Sequence, residues 1–200
     1  MWSVFLNGIR KPKNAELQLI KDMVEYLKLS QDDDFAEEHG IRPGVGLAAP
    51  QIGENIRVFV VDCSSGDEPL NPITFINPKI IKKSGACKSN EGCLSFPEAY
   101  TDVKRYANVK VKAIGLNGKP FIIEGKDGSL LARAIQHEFD HLDGILFVDH
   151  CRSEFEANRI LTEKGLNPIE QDKVLSEPEL EDALSSLPTN PGDTILPEQN

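Results

Sequence analysis

The sequence predicts an α+β fold, a single domain of mostly antiparallel strands around one central helix. Three observations predict it. Ile20, Met23, Val24 and Leu27 stand at i, i+3, i+4 and i+7, one apolar stripe of a helix near the start. Several β-rich runs then follow one another through the middle of the chain instead of alternating with helices. A further helical segment, from Ser129 to about Asp143, comes after the strands and carries His137-Glu138-Phe139-Asp140-His141. A chain of 200 residues makes one domain the expectation.

The first helix runs from Asn14 to about Ser30, with Asn14 as its N-cap and Glu16 in the first turn. Gln31 to Gly40 reads as an acidic linker, and Arg42 to Gly53 as a loop punctuated by Gly and Pro. Ile56 to Asp62 is a β-branched run suited to a buried strand. Ile73–Asn77 and Lys79–Lys83 read as two short strands separated by Pro78. Ala107, Val109, Val111 and Ala113 alternate with Asn108, Lys110 and Lys112, the pattern of a half-buried strand, and Asn117-Gly118 turns it tightly into Pro120–Glu124. Ser129 or Asp127 caps the next helix and Gly144 stops it. Ile145–Val148 is then expected as a short last strand and Cys151–Lys164 as a third helix. Residues 1–164 form the expected domain. Residues 165–200 carry five Pro among acids and read as a disordered or loosely packed tail.

Charge excludes several classes of function. Lys and Arg number 22 against 32 Asp and Glu, a net charge of −10. From Gly165 onward there are eight acids and one Lys, a net of −7, so the other 164 residues carry only −3. With no basic block, no direct nucleic-acid site is expected. No run approaches the roughly 20 apolar residues of a membrane span. The apolar stretch within Met1–Gly8 stops too early for a secretory signal, and it is not an Arg- and Ser-rich transit peptide, so a cytoplasmic protein is expected. Cys63, Cys87, Cys93 and Cys151 contain no C-x-x-C spacing and read as free thiols in a reducing compartment.

The chemistry concentrates in three segments. His137 and His141 lie one helical turn apart, so both imidazoles reach one metal ion, and Glu138 between them can act as general base and acid for a metal-bound water. The apolar stretch before them, Leu130 to Ile135, marks a buried helix, where unpaired ionisable groups are costly. A third ligand comes either from upstream, at Cys93 in Glu91-Gly92-Cys93-Leu94-Ser95, or from downstream, at Glu154, Glu156 or Glu163. The last segment, Gly44-Val45-Gly46-Leu47-Ala48-Ala49-Pro50-Gln51, offers an open backbone and the amide of Gln51. Two other readings stand beside a catalytic one on this helix. They are an ordinary zinc peptidase and a metal- or peptide-binding module without catalysis.

Taken together, G-V-G-L-A-A-P-Q, E-G-C-L-S and Q-H-E-F-D-H-L-D-G resemble the three motifs of the peptide deformylases, over roughly Asn14 to Val148. The linker 30–43 resembles that of the longer, Gram-positive-type members, whereas the stretch after Cys93 lacks their insertion. The resemblance implies a metal-dependent hydrolase that removes the formyl group from the N-terminal formyl-methionine of newly made proteins. It places Cys93, His137 and His141 on one divalent ion, natively Fe2+, with zinc, nickel or cobalt able to occupy the site. It makes Glu138 the proton carrier, and the Gln51 amide and Leu94 N–H the donors to the oxyanion. Main-chain groups of Val45, Gly46 and Gly92 would pair with the peptide. The methionine side chain would lie near Val45, Glu91, Ile135 and His137, with Arg133 and Tyr100 at the mouth. Implied partners are formyl-Met N-termini of nascent chains, met at the ribosome by a monomer or dimer.

Overall fold

A computed structural model of the chain describes residues 14–64, 71–151 and 154–166. The N-terminal segment before Asn14 and the Pro-rich tail from residue 167 lie outside the described residues. Helix α1 spans Asn14–Ser30, α2 Asp33–His39, α3 Leu130–Leu142 and α4 Glu154–Glu163. The strands are β1 Gly46–Ala48, β2 Val58–Val61, β3 Ile73–Ser84, β4 Cys87–Cys93, β5 Phe96–Arg105, β6 Asn108–Ile114 and β7 Pro120–Gly125. Five strands form one sheet in the order β1-β2-β3-β6-β7, and β4 and β5 form a separate two-stranded sheet. Every strand pairing is antiparallel.

β2 is buried along its whole length because both faces of the sheet are covered there. Val58 and Val60 point to one side, where Ile20, Met23 and Leu27 of α1 pack on them with Leu47 and Ile76. Phe59 and Val61 point to the other, where Phe75, Val111, Ala132 and Ile135 seat α3. A third cluster joins Phe96 and Val103 of the hairpin to Phe147, Val148 and Ile160. Helix α3 packs on β1, β2, β6 and β7 and is the central helix of the fold. Ser129 caps it by accepting a hydrogen bond from Ala132 N, and Gly144, at φ 73°, follows its end.

Five readings of the sequence are corrected. The acidic linker contains α2, because Asp32 accepts from Phe35 N at 2.9 Å as an N-cap and Gly40 takes the left-handed C-cap conformation. Asp33 and Asp34 then face the positive end of the helix dipole. The loop before Gly53 holds β1 and a 3-10 turn over Ala49–Ile52. Pro78 does not separate two strands. β3 runs through it with a register shift between Ile76 and Lys79, at a bulge where Asn77 has φ 49° and no ladder donor is needed. Residues Phe147–His150 form a 3-10 turn where a last strand was expected. The hairpin β4–β5 has no counterpart in the sequence reading.

Candidate active site

Helix α3 turns one face toward a cleft. Leu130, Arg133, Ala134, His137 and Glu138 recur at helical spacing along a cavity of about 350 Å3, whose other walls include Val45, Gly46, Gln51 and the segment Ser89–Leu94. Ile135 is not on that face. It lies a third of a turn away, is fully buried, and packs in the core against the sheet, which corrects its assignment to the pocket. Tyr100 lines the cleft and is 59% exposed.

Cys93, His137 and His141 each bring one ligand atom to within 4.8 Å of the others. The Cys93 thiol reaches the tip of the hairpin, where the register shifts between Gly92 and Cys93, and its Sγ lies 3.3 Å from His141 Nε2. His137 donates from Nδ1 to Glu91 Oε2 at 3.0 Å, which leaves Nε2 for the cleft. Glu163 is on α4, paired instead with Arg159. A soft sulfur with two imidazoles, one of them held from behind by a carboxylate, fits a divalent transition metal.

The electrostatics agree with that donor set. Burial works to raise the Cys93 thiol, but hydrogen bonds and charge from His137 and His141 outweigh it and bring the pKa down to about 5. A thiol held that low is a thiolate at neutral pH, the form that binds metal. Burial likewise opposes charge on His137, yet hydrogen bonds to Cys93 and Glu91 raise it to about 10. A divalent ion held by these donors would supply the positive charge that this proton supplies in its absence. Glu138 is 4% exposed and its Oε2 has no hydrogen-bond partner. Burial, with the Cys93 charge, pushes its pKa up to about 7 against the pull of His137 and His141.

Two glycines make room for these side chains. A Cβ on Gly46 would stand 2.3 Å from Glu138 Oε1, so β1 can pass the carboxylate only without a side chain. A Cβ on Gly92 would stand 2.6 Å from the ring of Tyr100, its cross-strand partner. Gln51 accepts a hydrogen bond from Ala48 N at 2.8 Å through Oε1. Its Nε2 is thereby turned toward Cys93 Sγ, at 3.6 Å, and Ser95 Oγ, at 3.0 Å.

Sequence reasoning missed three residues around the site. Arg42 donates to the carbonyls of Cys93 and Leu94 at 3.1 and 3.2 Å and fixes the hairpin tip. Arg105 makes a bidentate pair with Glu91. Gln136, the first residue of the third motif, exchanges two 2.9 Å hydrogen bonds with the backbone of Tyr106. Arg133, which the sequence reading did name, donates to Ser89 Oγ at 2.9 Å.

Comparison with known families matches residues 7–156 to the family described as polypeptide deformylase. Peptide deformylase 1 of Bacillus subtilis (strain 168) is 48% identical over 133 residues, which cover 66% of this chain and 80% of that protein. The peptide deformylase of Symbiobacterium thermophilum is 44% identical over 184 residues, covering 84% and 81%. Among solved structures, a peptide deformylase from Synechococcus elongatus in complex with actinonin superposes with a TM-score of 0.64 at 36% identity, over 81% of this chain and 83% of that one. One from Legionella pneumophila gives 0.59 at 39% identity, over 80% and 89%. Among the described residues no helix is long and apolar enough to cross a membrane. A family match over most of its length, with relatives this similar, makes the chain a member of the polypeptide deformylases, the metal-dependent hydrolases that take the formyl group off N-terminal methionine.

Proposed function

We propose that Cys93, His137 and His141 hold one divalent ion, natively Fe2+, and that deformylation takes place in the cleft beside it. Zinc, nickel or cobalt would fit the same donors. When bound, the ion serves as a Lewis acid and brings the pKa of a water down toward neutrality. The single observation that carries the reading is Glu138, a buried carboxylate next to a candidate ligand, lining the cleft with one oxygen unpartnered. A group poised there both accepts and returns a proton. Glu138 takes the proton of the attacking water and passes it to the leaving amine nitrogen. The Gln51 amide, its acceptor oxygen already engaged by Ala48, offers N–H to the oxyanion with the Leu94 N–H as second donor.

The peptide lies as an added strand. β1 is the edge of its sheet, and Val45 and Gly46 border the cleft opposite Gly92. The methionine side chain enters between Val45, Glu91 and His137, with Arg133 and Tyr100 near the mouth. Residues 1–164 are the catalytic unit and 165–200 an acidic appendage. The substrates are formyl-Met ends of nascent chains, met in the cytoplasm at the ribosome by a monomer or dimer. The test is Glu138→Ala. It should retain the metal and lose formate release, and normal turnover in that variant would remove Glu138 from the reaction.

A further inference from the structure

We infer that Arg105 is a positioning residue for the metal centre, acting through Glu91 and Asp140 on the two elements that supply the ligands. The inference rests on the ligand assignment proposed above. Cys93 comes from the hairpin, and His137 and His141 come from α3, so the centre forms only if hairpin and helix keep one separation. The hairpin is a sheet of its own and shares no ladder with the sheet that seats α3; its isolated backbone bridge, Val103 to Cys151, does not reach the helix. Side chains must set the distance.

Arg105 sits on β5 with its side chain 2% exposed, and it spans that gap. Its Nε donates to Glu91 Oε1 at 3.0 Å and its Nη2 to Glu91 Oε2 at 2.8 Å, a planar fork on a carboxylate of β4. Its Nη1 donates to Asp140 Oδ2 on α3. Glu91 is two residues before Cys93, and Asp140 lies between His137 and His141. Each carboxylate is therefore rooted beside a ligand. Glu91 Oε2 also accepts from His137 Nδ1, so one oxygen joins the guanidinium to the imidazole and fixes which ring nitrogen faces the ion. At the far end Asp140 Oδ2 lies 2.9 Å from Nε2 of the half-buried His150.

A lysine cannot replace this arrangement. Its ammonium is a point charge with no planar fork, and it cannot hold Glu91 at both oxygens while reaching Asp140. Arg105 itself does not line the cleft, so its influence on substrate binding is indirect.

The test compares full-length Arg105→Lys, Arg105→Met and Glu91→Gln with wild type, each loaded with Co2+ or Zn2+. The readouts are the ligand-field absorption of cobalt, the rate of zinc loss to a chelator, the thermal midpoint, and kcat and KM on a formyl-Met peptide. Arg105→Lys keeps a buried cation between two carboxylates and should fold. Its metal retention should fall about 10- to 100-fold with a shifted cobalt band, while KM stays within about twofold. Glu91→Gln should shift the same band. If Arg105→Met does not fold, Arg105→Lys decides alone. A folded Arg105→Lys that holds zinc as wild type does, with an unchanged cobalt spectrum, overturns the proposal. So does a band that moves in Arg105→Lys and not in Glu91→Gln, because the influence would then bypass Glu91. Cys93→Ser is run alongside: wild-type metal retention there would mean that the ligand assignment, rather than the role of Arg105, is at fault.

Discussion

Gly46→Ala should cost most of the activity while leaving the metal in place. The added methyl would lie 2.3 Å from Glu138 Oε1 and 2.6 Å from both Cδ and Cγ, where ordinary contacts begin at 3.4 Å. The carboxylate must therefore retreat by about 1 Å, or β1 must move and disturb its pairing with β2. Glu138 is 4% exposed, so little free space awaits it. A misplacement of about 1 Å at a reacting group is worth on the order of 100-fold in rate, about 3 kcal/mol. Overpacking at the same site costs about 1–3 kcal/mol of stability. The assay is formate release from a formyl-Met peptide, with metal content and thermal midpoint measured on the same sample. Gly115→Ala is the control, since its nearest neighbour would be the Asn117 Oδ1 at 3.3 Å, far from the cleft. A folded, metal-loaded Gly46→Ala with kcat within about threefold of wild type would refute the reasoning.

The thiols provide two further checks. Cys93→Ser removes the soft donor at nearly constant size and should lose both activity and metal retention, whereas Ser at Cys63, Cys87 or Cys151 should lose neither. Metal analysis of the four variants decides it. In chelator-treated protein, iodoacetamide should label Cys93 at about pH 6, where its thiolate persists, and labelling should fall as pH drops through its pKa of about 5. Cys63, whose pKa burial and the neighbouring Asp62 push up to about 11, should stay unlabelled, and added zinc should protect Cys93. Equal labelling of Cys63 and Cys93 would contradict the electrostatic reading.

Where side chains face an apolar neighbour, the sequence was legible. The stripe Ile20, Met23 and Leu27 marks α1 because those residues have only the sheet to meet, and Val109 and Val111 mark β6 for the same reason. The hairpin β4–β5 escaped because Ser89, Glu91, Thr101 and Arg105, all buried, interleave with its apolar inward positions Cys93, Ala99 and Val103. Period-two alternation is present there in burial but blurred in hydropathy, since Glu91 pairs with Arg105, Ser89 accepts from Arg133 and Thr101 from Cys151. The candidate site divides in the same way. His137, Glu138 and His141 announce themselves by helical spacing, and Cys93 and Gln51 by their motifs. Arg105 belongs to no local pattern, because its partners Glu91 and Asp140 lie 14 and 35 positions away. Helix α2 did carry a local signal, three acids capping a segment that ends at Gly40, which its polarity concealed.

The cleft is a seam between two separately hydrogen-bonded sheets, and this bears on how it can move. A groove cut into one sheet could widen only by breaking ladder bonds. Here the hairpin is tied to the rest by side chains, among them Arg42, Arg105, Arg133 and Gln51, by a patch around Phe96, Phe147 and Ile160, and by an isolated backbone bridge from Val103 to Cys151. Displacing such a leaf would cost those ties but leave its own ladder intact, a free energy below that of global unfolding. Admission of a bulky side chain beside methionine would then depend in part on how stiffly Arg105 and the Phe96 patch, which lie outside the cleft, hold this leaf.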